Sequence, residues 1–163
     1  MILGLVEHDR GRLNPHALEM LTLARRLAAD SGVPLNALLV GETAAPLAAG
    51  LAPYGVETVY VADHDLLQDY APEAWAATLA QLAEDETPAA VLAAGTDRGA
   101  EVMAHVAARL GQPLAANCTA VSPGPDYTVT RIRWGGSLLE EARLSGAPKL
   151  LTVAPLAVAA ETA

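Results

Sequence analysis

A chain of 163 residues is one domain by size and long enough to bury a core without disulfides or metals. Its hydrophobic fraction of 52% is rich in alanine, with aromatics at 4% and no phenylalanine, which suits the close helix-on-sheet packing of a layered α/β domain. Ten basic against 19 acidic residues give a net charge of -9, which argues against a nucleic-acid surface or an anionic membrane and favours a protein or small-molecule partner.

Met1 leads directly into an apolar run, with no basic start or small-residue cleavage site, and no apolar run is long and charge-free enough to cross a bilayer. The single cysteine, Cys118, has no intrachain partner and fits a reducing compartment. A soluble, cytoplasmic protein is expected.

In chain order, Ile2 to Val6 predicts a first strand that delivers Glu7, His8 and Asp9 to its carboxyl end, followed by a polar turn to Gly11. A helix follows: Asn14 can cap it, Pro15 suits its first position, and Leu13 can staple against Leu18. Ala17, Met20, Leu21, Ala24, Leu27 and Ala28 line one face. Arg25 and Arg26 are placed towards the carboxyl end of the dipole, and Gly32 stops the helix. Leu35 to Val40 predicts a second strand, Thr43 to Leu51 a short helix, and Val56 to Val61 a third strand. Beyond the Asp63-His64-Asp65 loop, Pro72 and Glu73 open a helix with Trp75, Leu79, Leu82 and Ala83 inward.

Ala89 to Ala94 is apolar on both faces, as a covered parallel strand must be, and Val102, Met103, Val106, Ala107 and Leu110 recur at the helical period. Four rounds of strand and helix predict a parallel sheet with helices on both sides. After Gly111 the pattern changes. Leu114 to Val121, Tyr127 to Trp134, Ser137 to Arg143 and Lys149 to Val153 predict strands joined by turns too short for parallel crossovers, hence antiparallel pairing. Residues 1–155 are expected to form the domain and 156–163 an unpartnered tail or linker stub.

Three places have enough polar density to consider as sites. The turn Gly95-Thr96-Asp97-Arg98-Gly99 stands at a strand end, where ligands gather in open α/β sheets. Its glycines would let a phosphate come close, so Gly95, Thr96, Arg98 and Gly99 are the cofactor-binding candidates. Asp97 opposes an anion, however, and the spacing is neither Walker nor GxGxxG; a structural turn capped by Asp97 is the plainer account. The Asp63-His64-Asp65 loop lacks converging ligands, since His8, His16 and His105 have no metal-site spacing to it, and is taken as solvated. Arg131 and Arg133 share one face of a strand that ends in Trp134, and form either an internal ion-pair site or a contact for an acidic partner. GxSxG, HExxH and a Walker lysine are all absent, so no catalytic constellation is expected.

Taken together, EHDRGRLNPHALEMLTLARRLA (7–28), YGVETVYVAD (54–63), VLAAGTDRGAEVMAHVAARLG (91–111) and RIRWGGSLLEEARLSGAPKLLTV (131–153) give an order of motifs that resembles the amino-terminal domain of the electron-transfer flavoprotein alpha subunit. Departures are Ala104-His105 for Pro-Arg, Ser137 for Asn and Ala154 for Arg. The resemblance implies a three-layer α/β/α fold of the adenine nucleotide alpha-hydrolase-like type. It also implies a place in a heterodimer with a beta-type subunit, carrying electrons from flavin dehydrogenases to a quinone oxidoreductase. FAD in that family is held chiefly by the second domain of the alpha subunit, which would begin where this sequence stops, so the chain alone is expected to bind none. AMP belongs to the beta-type partner, and the chain is an electron-carrier component rather than an enzyme. The competing reading is a stand-alone adenine-nucleotide module of the same fold, with its site near Leu5 to Glu7, Gly41 and Gly95 to Gly99.

Overall fold

The computed structural model describes Met1–Ala163. The strands are β1 (Ile2–Leu5), β2 (His8–Asp9), β3 (Arg12–Leu13), β4 (Leu35–Val40), β5 (Thr58–Ala62), β6 (Ala90–Ala94), β7 (Leu114–Ser122), β8 (Tyr127–Arg133), β9 (Leu138–Leu144) and β10 (Lys149–Val153). The helices are α1 (Pro15–Ser31), α2 (Pro72–Glu86) and α3 (Asp97–Leu110). Eight strands form one sheet in the order β5-β4-β1-β6-β10-β7-β8-β9, and β2 and β3 form a small separate ribbon.

The alternation of side chains along each strand divides the core into two layers. Ile2, Leu35, Leu39 and Leu92 face Met20, Leu21 and Leu27 of α1. Their neighbours Leu3, Leu38, Val91 and Leu150 face Trp75 and Leu79 of α2 and Met103 and Val106 of α3. One helix therefore covers one face and two cover the other, giving the predicted α/β/α sandwich. Gly4 permits the close approach of α1, because a Cβ there would lie 3.2 Å from Met20 Cε. Asn14 caps α1 by accepting from His16 N, with Pro15 at the first position, as the sequence predicts.

Four expectations are corrected. First, β10 is not antiparallel to its neighbours: it lies parallel between β6 and β7. The short Ser145–Pro148 link joins two strands that do not pair with each other, so the hairpin rule does not apply to it. β7 pairs with β10 as far as Cys118 and with β8 from Cys118 onward, its register shifting on both sides and Asn117 standing at φ 57. Second, the segment after β4 is 3-10 helix over Ala45–Tyr54, where Pro46 and Pro53 each lack an N–H for a regular α-helical ladder. Third, α1 runs on to Ser31, so no basic residue occupies its last turn; Arg26 instead pairs with Glu161 at 2.9 Å.

Fourth, the alanine-rich end of the chain does have partners. Leu156 N donates to Glu19 Oε2 at 2.8 Å, Glu161 N to Thr22 Oγ1 at 2.9 Å and Ala163 N to Pro53 O at 2.7 Å, while Ala157 and Val158 pack on the α1 side of the core. The segment is a strap across α1. Burial works to raise the Glu19 carboxyl, but the Leu156 N–H and His16 outweigh it and hold the group below its ordinary value near 4.5. A depressed carboxylate stabilises the fold above its unfolded pKa and loses that contribution as pH falls through the folded value. Glu19→Gln is therefore expected to flatten the fall of the thermal midpoint below about pH 4.5. Parallel acid limbs in the two proteins would show that the strap does not depend on this charge.

Candidate functional site

The chain leaves β1 on one side of β6 and returns by β10 on the other, so the carboxyl ends of β1 and β6 flank the crevice where open α/β sheets bind ligands. Glu7 stands there. Its Oε1 accepts from Asn14 Nδ2 at 2.9 Å and its Oε2 from Thr96 Oγ1, while Thr96 Oγ1 in turn accepts from Gly99 N at 3.0 Å. Asn14 caps α1 and Thr96 caps α3, so one carboxylate ties together the amino ends of two helices on opposite faces of the sheet. Negative charge is favoured at both of those ends.

The cap of α3 is Thr96, not Asp97. Thr96 has the extended backbone of a capping residue, at φ -74 and ψ 168, and its oxygen lies three residues before the N–H that it accepts; Asp97 is the first helical residue. The two glycines of the turn serve contacts within the fold. A Cβ on Gly95 would come within 2.8 Å of Val153 O and 2.9 Å of Asn117 Oδ1, and one on Gly99 within 2.0 Å of Ala94 O. Arg98 turns away to lie 4.7 Å over the Tyr70 ring and 3.5 Å from Asp9. The four cofactor candidates thus diverge: Gly95 goes to β10, Thr96 to Glu7, Arg98 to Tyr70 and Gly99 under its own helix. The void beside Glu7 and Gly99 measures about 10 Å³, at the lower limit for one water molecule.

A larger cleft of about 270 Å³ opens beside it, between the ribbon after β1 and Gly41 after β4. Buried His8 donates from Nε2 to Val40 O at 2.8 Å, which fixes the tautomer when the ring is neutral and leaves Nδ1 without a partner. The ring stacks 6.2 Å from that of Trp75, whose Nε1 is also buried and unpartnered, and Tyr70 meets Trp75 edge-on at 5.4 Å. Burial and the hydrogen bond to Glu101 push the Tyr70 phenol up, so it stays a donor. Asp9, Glu42 and Asp69 on the rim outnumber Arg10 and Arg98, a balance unfavourable to phosphate. The Cys118 thiol lies elsewhere and is pushed up to about 12 by burial.

Of the remaining candidates, His64 accepts from Leu66 N and caps a single 3-10 turn. Arg131 Nε donates to Glu140 Oε2 at 2.7 Å, and Arg133 Nε lies 3.7 Å from the same oxygen. The hydrogen bond from Arg131 holds the Glu140 carboxyl below its ordinary range. Internal pairing is thus present, and it leaves Trp134 77% exposed at the tip of the β8–β9 hairpin, with Leu139 at 73% and Leu138 at 48% beside it. β9 is also a free sheet edge. The apolar pair on β9 was not singled out from the sequence, although LL opening a strand beside Trp-Gly-Gly was the available signal. The stacked His8–Trp75 pair has no sequence signal, because 67 positions separate its members.

A family model described as the electron transfer flavoprotein domain matches residues 2–163. The electron transfer flavoprotein subunit alpha of Mycobacterium tuberculosis strain H37Rv is 38% identical over 162 residues, 99% of this chain and 49% of that protein. The subunit alpha of Thermoanaerobacterium thermosaccharolyticum is 32% identical over 152 residues, 91% of this chain and 46% of that one. The LctC subunit of an Acetobacterium woodii lactate dehydrogenase (NAD(+),ferredoxin) is 33% identical over 138 residues, 83% of this chain and 33% of its own length. The chain spans about half the length of the alpha subunits it matches. A match that runs along the whole sheet, from β1 through the hairpin to β10, places this chain in the electron transfer flavoprotein family, with the alpha subunits.

Proposed function

We propose that this chain is the scaffold and docking domain of an electron-transfer flavoprotein alpha subunit. It seats a beta-type subunit and an FAD-carrying domain, in cis or in trans, in a heterodimer that takes electrons from flavin dehydrogenases and delivers them to a quinone oxidoreductase. It works in the cytoplasm, with FAD held in the complete complex and AMP in the beta-type partner, and it performs no catalysis of its own. The observation that carries this reading is the hairpin tip. Trp134, Leu138 and Leu139 are large apolar side chains held in solvent by an ordered strand pair, with Arg131 and Arg133 alongside. Aromatic and arginine residues are the anchors that protein interfaces favour.

Co-expression with a beta-type subunit and an FAD domain is the test. The assembled complex should carry flavin and the chain alone should be colourless. Trp134→Ser with Leu139→Ser should weaken assembly by roughly tenfold or more while leaving the thermal midpoint unchanged. Stoichiometric FAD on the isolated chain would overturn the assignment. A second reading, an adenine-nucleotide module, draws on the 270 Å³ cleft at the strand ends. Calorimetry of the isolated chain with AMP, ADP and ATP separates the two, and absence of heat at millimolar nucleotide removes the second.

A further inference from the structure

At the opposite end of the sheet from the crevice, where β6 and β10 begin, an open hollow of about 410 Å³ has the side chain of Lys149 in its lining. Lys149 is 8% exposed, yet it takes part in none of the ion pairs of the molecule. Its ammonium donates to Gly146 O and lies 5.6 Å from the centre of the Tyr127 ring. An ammonium has three donors, so one direction is left over. A buried charge without a counter-charge is costly, and in a chain of net charge -9 the acids that might have answered it are placed elsewhere. Ser31, in the same lining, is a hydrogen-bonding neighbour of the Tyr127 phenol, whose rise by burial it partly offsets. The walls are apolar: Val33, Ala89, Pro123 and the Tyr127 ring.

We propose that this hollow is a binding site for a small monocarboxylate with a short apolar body, its carboxylate accepting from Lys149 and its body lying against Val33 and Tyr127. The surroundings choose the charge. A phosphate is ordinarily held by arginine forks or a helix amino terminus, and this hollow has neither. It has instead the carboxyl end of α1, whose dipole opposes any anion and a doubly charged one more than a singly charged one. Nothing in the site draws on the hairpin or the strand-end crevice, so it stands or falls separately from the docking role.

The test is thermal unfolding of the full chain titrated with acetate, butyrate, hexanoate and inorganic phosphate, at constant ionic strength and near-neutral pH. Butyrate or hexanoate should raise the midpoint saturably in the millimolar range, acetate less, and phosphate not at all. Lys149→Gln should lose the response. Ala89→Glu, made on the exposed rim, places a tethered carboxylate within reach of the ammonium and should also lose it; this variant carries the test if Lys149→Gln fails to fold. No saturable response in the parent chain, a response that survives in either folded variant, or phosphate acting more strongly than the carboxylates would each overturn the proposal.

Discussion

Gly99→Ala is expected to lower the stability of this domain by about 3 kcal/mol or more, at the upper end of the overpacking range. The added Cβ would stand 2.0 Å from Ala94 O, far inside contact distance. That oxygen belongs to Ala94, paired with Val153 at the end of a strand held between β1 and β10, so it has little room to retreat. The amino end of α3 must move instead. Such a shift breaks the cap from Gly99 N to Thr96 Oγ1 and strains the bond from Ala100 N to Thr96 O, which is 2.8 Å long in the native turn. Gly50→Ala is the control, because a Cβ there meets nothing closer than Leu13 Cδ1 at 3.7 Å and the backbone does not need glycine. That change should be neutral or add up to about 1 kcal/mol by restricting the unfolded chain. Urea midpoints of the two variants decide the matter, and a Gly99→Ala protein within about 0.5 kcal/mol of the parent would show that the turn is softer than its geometry implies.

The second large effect is expected at Glu7. Glu7→Ala removes the acceptor of both Asn14 Nδ2 and Thr96 Oγ1, leaving two part-buried donors with only the water that enters the vacated space. A loss of about 2 kcal/mol follows from the usual cost of unsatisfied partners of a charged group. The contact also makes a sharper claim, because residues in one hydrogen-bond network do not add independently. In a double-mutant cycle with Thr96→Val, the coupling energy should reach about 1 kcal/mol. Additive single losses would mean that Glu7 and Thr96 stabilise their own helices without communicating.

These expectations show where sequence patterns suffice and where they stop. The layers were legible because they depend on period: the doubly apolar runs at Leu35–Val40 and Ala90–Ala94, and the stripe of Val102, Met103 and Val106, each declare their element within a dozen residues. The cap at Asn14 was legible for the same reason, since its whole mechanism lies within Asn14-Pro15-His16. The place of β10 was not. Loop length reports only whether successive strands pair with each other, and β10 pairs with β6 and β7, from which it is separated in the chain by a complete hairpin. The strap was missed because its anchors are backbone N–H groups meeting Glu19 and Thr22 across more than a hundred residues, which alanine-rich sequence does not advertise.

The crevice illustrates the same division. Glu7 and the Gly95–Gly99 turn were both recognisable as strand-end residues, but their meeting across 89 positions is a product of the parallel pairing of β1 with β6. Once that contact is known, the glycines have a reason within the fold, because a Cβ at either would meet Val153 O, Asn117 Oδ1 or Ala94 O. At the hairpin, the sequence left open whether Arg131 and Arg133 pair internally or face a partner. Glu140 settles the first half by lying directly opposite Arg131 in the β8–β9 register.

The division of β7 between two partners bears on how the hairpin would meet another protein. Its first half is locked beside β10, where Asn117 N donates to Thr152 Oγ1 at 2.9 Å, and after the irregularity at Asn117 and Cys118 its second half takes up the pairing with β8. The hairpin that holds Trp134 and Leu139 in solvent is therefore hydrogen-bonded to a strand whose other half is clamped in the core. A docking partner of the kind proposed above would then meet a surface already ordered by folding and would spend little binding free energy on ordering it.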